Sequence, residues 1–530
     1  MGQGMDRRTF LRQAGLGAGA GALILGGVPV GAGAQRRRGV PFARGGEFVQ
    51  GVASGEPAPG GVTLWTRLGG HTADRKLRLE IASDPGFGRV LYERDVVARA
   101  AKDHTVEVRL QGKRFLRPGE RYWYRFGAGD AASPVGRFKL ARPADSREPV
   151  RIAFFSCQDY QAGYYGAHST IAELDDVDLV VCLGDYIYER TFYEGPDERR
   201  DTLGANGDGE VQTLDEYRAK YRLYKGDADL QAMHAAHPFM AIWDDHEVED
   251  NYAGELPGEA TIDARVPFGE RRLAGYRSFY EYMPFRRLRG LGYRLHRTVP
   301  LGRTVELFLT DQRQFRDDQP CGDDLFVPCL EAGDPGRTYL GREQREWLKD
   351  ELVRSRATWK VIASQLMLMS LDEAPGVPIN KDSWDGYADE RREVLEHVRR
   401  NGVRDVTAIT GDIHTFFAGE VGVSGRGPDS VATEFVGGSI TALGIPEAIS
   451  DTAGGALSPE GSALVTGNIR LVNPHIKYDE QSSRGYGILE ASEDELLVTF
   501  RGVDAVRRST EARTLRRFRV PRGSARVQVL

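Results

Sequence analysis

Between residues 46 and 141 the chain alternates apolar and polar positions in short runs. "GVTLWTRL", "KLRLEIAS", "RVLYERDVV", "HTVEVRLQ", "RYWYRFGAG" and "VGRFKLA" are separated by turn-forming stretches such as "PAPGG" and "RPGER". Alternation of this kind marks strands with one buried face. About seven such strands in about 95 residues predict a small all-β sandwich of immunoglobulin or fibronectin type. "RPADSREP", residues 142–149, reads as the linker that closes it. The segment holds no cluster of reactive side chains, so its expected role is to support or flank the remainder of the chain.

From residue 150 the rhythm changes. Continuous apolar runs, the pattern of strands buried on both faces, alternate with longer helical or irregular stretches. This predicts an α/β layered domain over 150–515. "GREQREWLKDELVRSR" (341–356) and "ADERREVLEHVRRNG" (388–402) carry helical periodicity, the second ending on a glycine suited to a helix C-cap. Residues 191–236 are polar, aromatic and broken by glycine, and predict a long loop bearing helices over one face.

Six apolar runs end in polar tips. "RIAFF" leads to Ser156-Cys157-Gln158-Asp159, "DLVVCL" to Gly184-Asp185-Tyr186-Ile187-Tyr188-Glu189, and "FMAIW" to Asp244-Asp245-His246-Glu247. "VELFLT" leads to Asp311-Gln312-Arg313, "KVIA" to Ser364-Gln365, and "DVTAIT" to Gly411-Asp412-Ile413-His414. Ligands of α/β sheets bind beyond the carboxyl ends of the strands, so in a shared sheet these tips converge. Carboxylates gathered in one crevice raise each other's pKa unless cations are present. Taken singly, an Asp after a strand is a cap or turn residue, which accounts for Asp159 and Asp311. His168, His234, His237, His296 and His397 lack acidic company at a strand end and read as hydrogen-bonded structural residues. The coincidence of Asp185 with Tyr188, Asp245 with His246, and Asp412 with His414 has no such account. It points to a metal cage.

Composition and charge narrow the class. The 530 residues are 40% hydrophobic and 28% charged, with a formal charge of −6. That is a soluble globular chain without a polyanion- or nucleic-acid-binding signature. The first 34 residues combine Arg7-Arg8, a weakly apolar Gly/Ala-rich run and small residues at Ala32-Gly33-Ala34. This is the pattern of an export signal, and the twin arginine favours the Tat machinery. Cleavage near Ala34 is expected, giving a secreted, wall-associated or periplasmic protein with no membrane span; the alternative is an uncleaved anchor. Losing that segment, with its three arginines and one aspartate, takes the formal charge from −6 to −8. In an oxidising compartment Cys321 and Cys329, flanking "CGDDLFVPC", suit a local disulfide. Cys182, inside an apolar strand, reads as a buried thiol.

"SCQ", "GDYIYE", "WDDHEV", "DQRQ", "SQLM" and "GDIH", behind "FVQGVASGEP" and the twin-arginine segment, closely resemble the alkaline phosphatase D (PhoD-like) family. That family is a branch of the calcineurin-like metallophosphoesterases, and the resemblance runs from about residue 45 to about 515. It implies a layered αββα catalytic domain, secreted phosphomonoesterase or phosphodiesterase activity, and a centre of ferric iron and calcium. Carried over by motif, Asp185 resembles the carboxylate bridging the metals and Tyr188 the phenolate on iron. Asp245 stands where many relatives have the asparagine of "GNHE", and His246 where they have the histidine facing the phosphate. Asp412 and His414 stand in place of "GHxH", and Cys157 where relatives have an aspartate. Cys157, Tyr188, Asp185 and His414 are then expected around iron, and Asp185, Asp245 and Asp412 at calcium. Thiolate and phenolate suit ferric iron, and carboxylates suit a hard cation.

The implied reaction is hydrolysis of a phosphate ester by in-line attack of a metal-bound hydroxide. His246 donates to a transition-state oxygen or to the leaving group. Arg313 and Arg337 are two of many arginines able to grip phosphate. Two other functions compete. One is a phospholipase D-like phosphodiesterase on the same site, and the other a surface-associated binding protein whose metal site is a relic.

Overall fold

The computed structural model describes residues 39–530 apart from 113, 194, 259–262, 289, 324–326, 428 and 447–468. The expected export signal, 1–34, lies outside the described residues. Eight strands precede residue 142 among those described: β1 (Val52–Ala58), β2 (Gly61–Arg67), β3 (Arg75–Ala82), β4 (Val90–Ala98), β5 (Thr105–Gln111), β6 (Arg121–Ala128), β7 (Ala131–Ala132) and β8 (Gly136–Lys139). The next six are β9 (Val150–Phe155), β10 (Leu179–Cys182), β11 (Pro238–Ala241), β12 (Arg297–Leu301), β13 (Val305–Leu309) and β14 (Trp359–Ala363). After the short pair β15 (Asp372–Ala374) and β16 (Val377–Pro378) come β17 (Val406–Thr410), β18 (Phe416–Gly422), β19 (Ser430–Gly437), β20 (Ile476–Glu480), β21 (Arg484–Ala491), β22 (Glu495–Val503), β23 (Ala512–Pro521) and β24 (Gln528–Val529). The helices that bear on the site are α1 (Gly166–Ala172), α2 (Leu214–Tyr224), α3 (Ala228–Ala236), α4 (Phe268–Tyr282), α5 (Arg342–Arg354) and α6 (Ala388–Arg400).

The six tipped strands do not share one sheet. β9, β10 and β11 are parallel neighbours in a ten-stranded sheet of order β24-β23-β22-β21-β9-β10-β11-β1-β2-β5. β13, β14 and β17 are parallel neighbours in a seven-stranded sheet of order β12-β13-β14-β17-β19-β18-β20. The two sheets stack with a common core that includes Ile152, Val181, Leu307, Val361, Ile409, Phe435 and Phe500. Alternate residues of the second sheet, such as Phe308, Ile362 and Ala408, face outward onto Leu348 and Leu352 of α5 and Val394, Leu395 and Val398 of α6. On the other outer face Phe155 meets His168 of α1 at 4.7 Å between rings. This is the expected layered αββα arrangement. A strand buried on both faces reads as an apolar run whichever sheet it joins, so division of the six between two sheets was not encoded in their pattern.

The all-β sandwich also forms. Val62, Leu64, Val106, Val108 and Leu110 of β2 and β5 pack on Leu77, Leu79, Ile81, Tyr124, Phe126 and Phe138 of the facing strands. Its first sheet is at the same time an extension of the large sheet, because β1 pairs in parallel with β11 through Ser54↔Pro238 and Gly55↔Phe239. Trp65, on the opposite face of β2, belongs to the core of the stacked sheets and donates its indole N–H to Glu281 O at 2.9 Å. The α6 C-terminus closes as expected: Gly402 takes φ 62°, and Val403 N returns to Val398 O at 3.0 Å.

Candidate metal centre

The strand tips of both sheets meet at one end of the stack. Gln365, just beyond β14, stitches the sheets by donating to Trp243 O at 2.7 Å and Thr310 O at 3.1 Å. Glu247 clips two tips of the first sheet: its buried carboxylate accepts from Tyr186 N (2.7 Å), Asp244 N (2.7 Å) and Asp185 N (3.2 Å). Gly184 makes this approach possible. Its φ is +118°, and a Cβ there would lie 2.5 Å from Asp244 Cβ.

Four of the six expected ligands hold a backbone conformation that L-residues rarely adopt. Cys157, Asp185, Asp412 and His414 have φ of 56°, 55°, 67° and 55°. Each such position costs about 1–3 kcal/mol and persists only where surrounding contacts impose it. Here Cys157 N donates to Gly184 O, and Thr441 N and Ala442 N both donate to Cys157 O, all at 3.3 Å. The strain aims side chains into the crevice instead of along the sheet.

All six expected ligands come together. Donor atoms of Cys157, Asp185 and His414 lie within 4.8 Å of one another. Tyr188 joins them, its hydroxyl 3.2 Å from Asp185 Oδ2 and 3.3 Å from His414 Nε2. A second group, Asp244, Asp245 and Asp412, meets the same limit, and Asp185 reaches Asp245 and His246 within it. Asp185 therefore sits between two donor sets, the place of a shared ligand. Its Oδ1 is buried without a hydrogen-bond donor. An orphaned anionic oxygen in a buried crevice is costly unless a cation takes it up. Burial, reinforced by neighbouring carboxylates, pushes the Asp185 and Asp412 carboxyls well above the ordinary range and Asp244 up to about 7. Without cations this set favours protonation; with them it is a ligand shell. His414 is set for ligation: burial holds its pKa down near 3, and its Nδ1 lies 2.6 Å from Leu443 O, leaving Nε2 toward Tyr188.

His246 stands beside the cluster. Its Nδ1 is 2.9 Å from Glu189 Oε2, and its ring stacks on Tyr188 at 4.1 Å. Burial lowers its pKa, but Asp245, Asp185 and Glu189 outweigh this and raise it well above the usual histidine value. Nδ1 held by Glu189 leaves Nε2 to face the crevice, as a proton donor requires.

Two residues escaped the sequence reading. Glu189 closes the "GDYIYE" motif, yet nothing local tells that it reaches His246. Asp244 joins the second donor set beside Asp245, the member of the pair that the family motif singled out. The phosphate-gripping reading of Arg313 is overturned. Its side chain is fully buried and faces four carboxylates, those of Asp244, Asp245, Asp382 and Asp412. Arg337 donates to Asp318 O and lies against the Tyr387 ring. Asp311 is a turn residue, its Oδ1 accepting from Gln314 N at 2.9 Å and Arg313 N at 3.2 Å. Cys182 is a buried thiol, and Cys321 and Cys329 form a disulfide. His168 and His237 are buried and hydrogen-bonded, to Gln158 Oε1 at 2.7 Å and Ile171 O at 3.0 Å.

Residues 152–500 match the family model described as PhoD-like phosphatase, and residues 34–142 match the model of the PhoD-like phosphatase N-terminal domain. Alkaline phosphatase D of Bacillus subtilis (strain 168) is 36% identical over 502 residues, spanning 91% of this chain and 81% of that protein. The solved structure of PhoD superposes with a TM-score of 0.80 at 32% identity, covering 91% of this chain and 92% of the other. A purple acid phosphatase from yellow lupin seeds, at 13% identity and TM-score 0.52 over 89% of this chain and 73% of its own, shares the fold.

Proposed function

Because this chain belongs to the PhoD-like phosphatase family and is a phosphoric ester hydrolase, we propose that its two donor sets hold ferric iron and calcium for hydrolysis of phosphate esters outside the cytoplasm. The observation that carries this reading is the single donor cluster with Asp185 between a Cys/Tyr/His side and an all-carboxylate side. Cys157, Tyr188 and Asp185, once deprotonated, bring three negative charges to the His414 side, a match for a trivalent ion. Asp245 and Asp412, with the shared Asp185, offer hard oxygens of the kind calcium takes. When bound, the cations supply charge neutralisation on the phosphoryl oxygens and activation of the attacking water. His246, held by Glu189, carries the proton that reaches a phosphoryl oxygen or the departing alkoxide. Tyr188 and Phe192 pack on the His246 ring and fix its plane. Export through the Tat machinery fits the twin arginine, and the Cys321–Cys329 disulfide fits an oxidising compartment. No helix among the described residues is long and apolar enough to cross a membrane.

A diester is a second substrate class. A cavity of about 620 Å³ is walled by Arg484, Arg513, Asp504 and Glu511 and, toward the centre, by Thr441 and Leu443, whose backbones contact Cys157 and His414. It gives room for a second ester substituent, its two arginines being balanced by the two carboxylates. The relic-site alternative is disfavoured by a donor set with no member missing. The test is a panel of monoester, diester and phospholipid substrates, assayed before and after calcium chelation and again after calcium is restored. We expect phosphate ester cleavage that disappears on chelation and returns with calcium. Full activity with metal analysis showing both cations gone would refute the reading.

A further inference from the structure

We propose that Arg313 is a fixed cation of the centre that sets which ionic charge the all-carboxylate donor set accepts. The inference rests on the reading that Asp245 and Asp412 hold a hard cation. Arg313 follows β13 and is fully buried. Its Nε lies 2.5 Å from Asp244 Oδ1. Its other two nitrogens fork onto Asp382, Nη1 to Oδ1 at 3.0 Å and Nη2 to Oδ2 at 2.7 Å. Nη2 also faces Asp245 Oδ1 at 3.3 Å and Asp412 Oδ1 at 3.7 Å. One guanidinium thus touches all three members of the all-carboxylate set.

Asp382 is the anchor that aims it. Besides Arg313, Asp382 Oδ1 pairs with Arg316 Nη2 and accepts from Gln319 Nε2, both at 2.7 Å. Four carboxylates, Asp244, Asp245, Asp382 and Asp412, are opposed here by two guanidinium groups. Each guanidinium cancels one unit of negative charge, so Arg313 lowers by one the charge that the set presents to a cation. Without Arg313 that unit would return, and an ion of higher charge would be favoured. Arg313 acts through Asp244, Asp245 and Asp412 and is therefore a positioning residue.

The test uses the full chain stripped of metal, with binding of calcium and lanthanum measured by calorimetry and no turnover required. Each unit of charge about 4 Å from the ion is worth tenfold or more in affinity at an interior dielectric. In Arg313→Gln the preference for lanthanum over calcium should therefore rise by at least about tenfold relative to the unaltered chain. Arg313→Lys keeps the charge and should keep the preference near its original value. Asp382→Asn removes a negative charge and should move it the opposite way, which also serves should Arg313→Gln fail to fold. A scaffold acting through shape alone would change both affinities together, so an unmoved ratio in variants that still bind would overturn the inference. Equal shifts in Arg313→Lys and Arg313→Gln would overturn it too. Absence of any calcium or lanthanum binding in the unaltered chain would overturn both this inference and the reading of Asp245 and Asp412 beneath it.

Discussion

At the residue scale the proposed chemistry divides between groups that would hold cations and groups that would hold a proton. Under that proposal His246 belongs to the second class, with Glu189, 2.9 Å from its Nδ1, as the group that orients it. His246→Ala should keep both cations and lower turnover on the order of 10²–10³-fold, the loss seen when one charge-stabilising donor is removed. Glu189→Gln keeps a hydrogen-bonding side chain but loses the charge that sustains the imidazolium. It should lower kcat by about tenfold, with KM little changed. Metal analysis alongside steady-state kinetics checks both; loss of metal in either variant would reassign the residue as a ligand. Cys157 and Tyr188 make a second prediction, because thiolate or phenolate on ferric iron absorbs visible light. The isolated protein should be coloured. Tyr188→Phe should shift or weaken the band, and Cys157→Ser should weaken iron binding, an alcohol being a poorer anionic donor. Cys182→Ser, in the core, should change neither. The absorption spectrum with iron content decides, and a band indifferent to both substitutions would move the iron elsewhere.

At the scale of elements, the helices that cover the first sheet carry a buried charge without a carboxylate on it. Lys225 caps the C-terminus of α2, 1% exposed, between the rings of Trp65 on β2 (4.5 Å) and Tyr186 beyond β10 (5.2 Å). His234 Nε2 of α3 lies 3.5 Å from its amine. Burial holds its pKa down at about 7; the two ring faces offset part of that cost. The unfolded chain keeps an ordinary lysine pKa near 10.4. Between about pH 7 and about pH 10.4 the unfolded state therefore binds more protons, and stability rises with pH across that window. Below about pH 7 the full cost of the charge is present. Lys225→Met should raise the denaturation midpoint at pH 6 clearly more than at pH 10. Equal changes at the two pH values, measured by urea unfolding, would mean that the amine carries no charge cost in the fold.

At the scale of the whole molecule, the sandwich and the catalytic layers are joined by backbone pairing as well as by the linker. Pairing of β1 with β11 leaves neither strand an edge, and Trp65 sits in the core of the other layer. A chain starting at residue 143 would expose the β11 edge next to the tip that carries Asp244, Asp245 and His246. An unpaired apolar edge is an aggregation site. That shortened chain should be poorly soluble and should lose metal along with activity; soluble, metal-loaded, active protein would show that the sandwich is dispensable.

The sequence by itself determined where the strands end and what stands at each end. Apolar runs terminate in Cys157, Asp185, Asp245 and Asp412 because a buried strand can carry such groups only beyond its last core residue. Periodicity likewise placed α5 and α6 to within two residues at each end. Only the tertiary structure decided which tips meet. Runs buried on both faces carry no mark of their partner strand, so neither the split into two sheets nor the continuation of the sandwich into the larger one was written in the pattern. The fate of charged residues was equally non-local. Arg313 and Glu189 are 69 and 57 positions from Asp244 and His246, their partners. A charge declares its role only when folding removes water and leaves one neighbour to answer it.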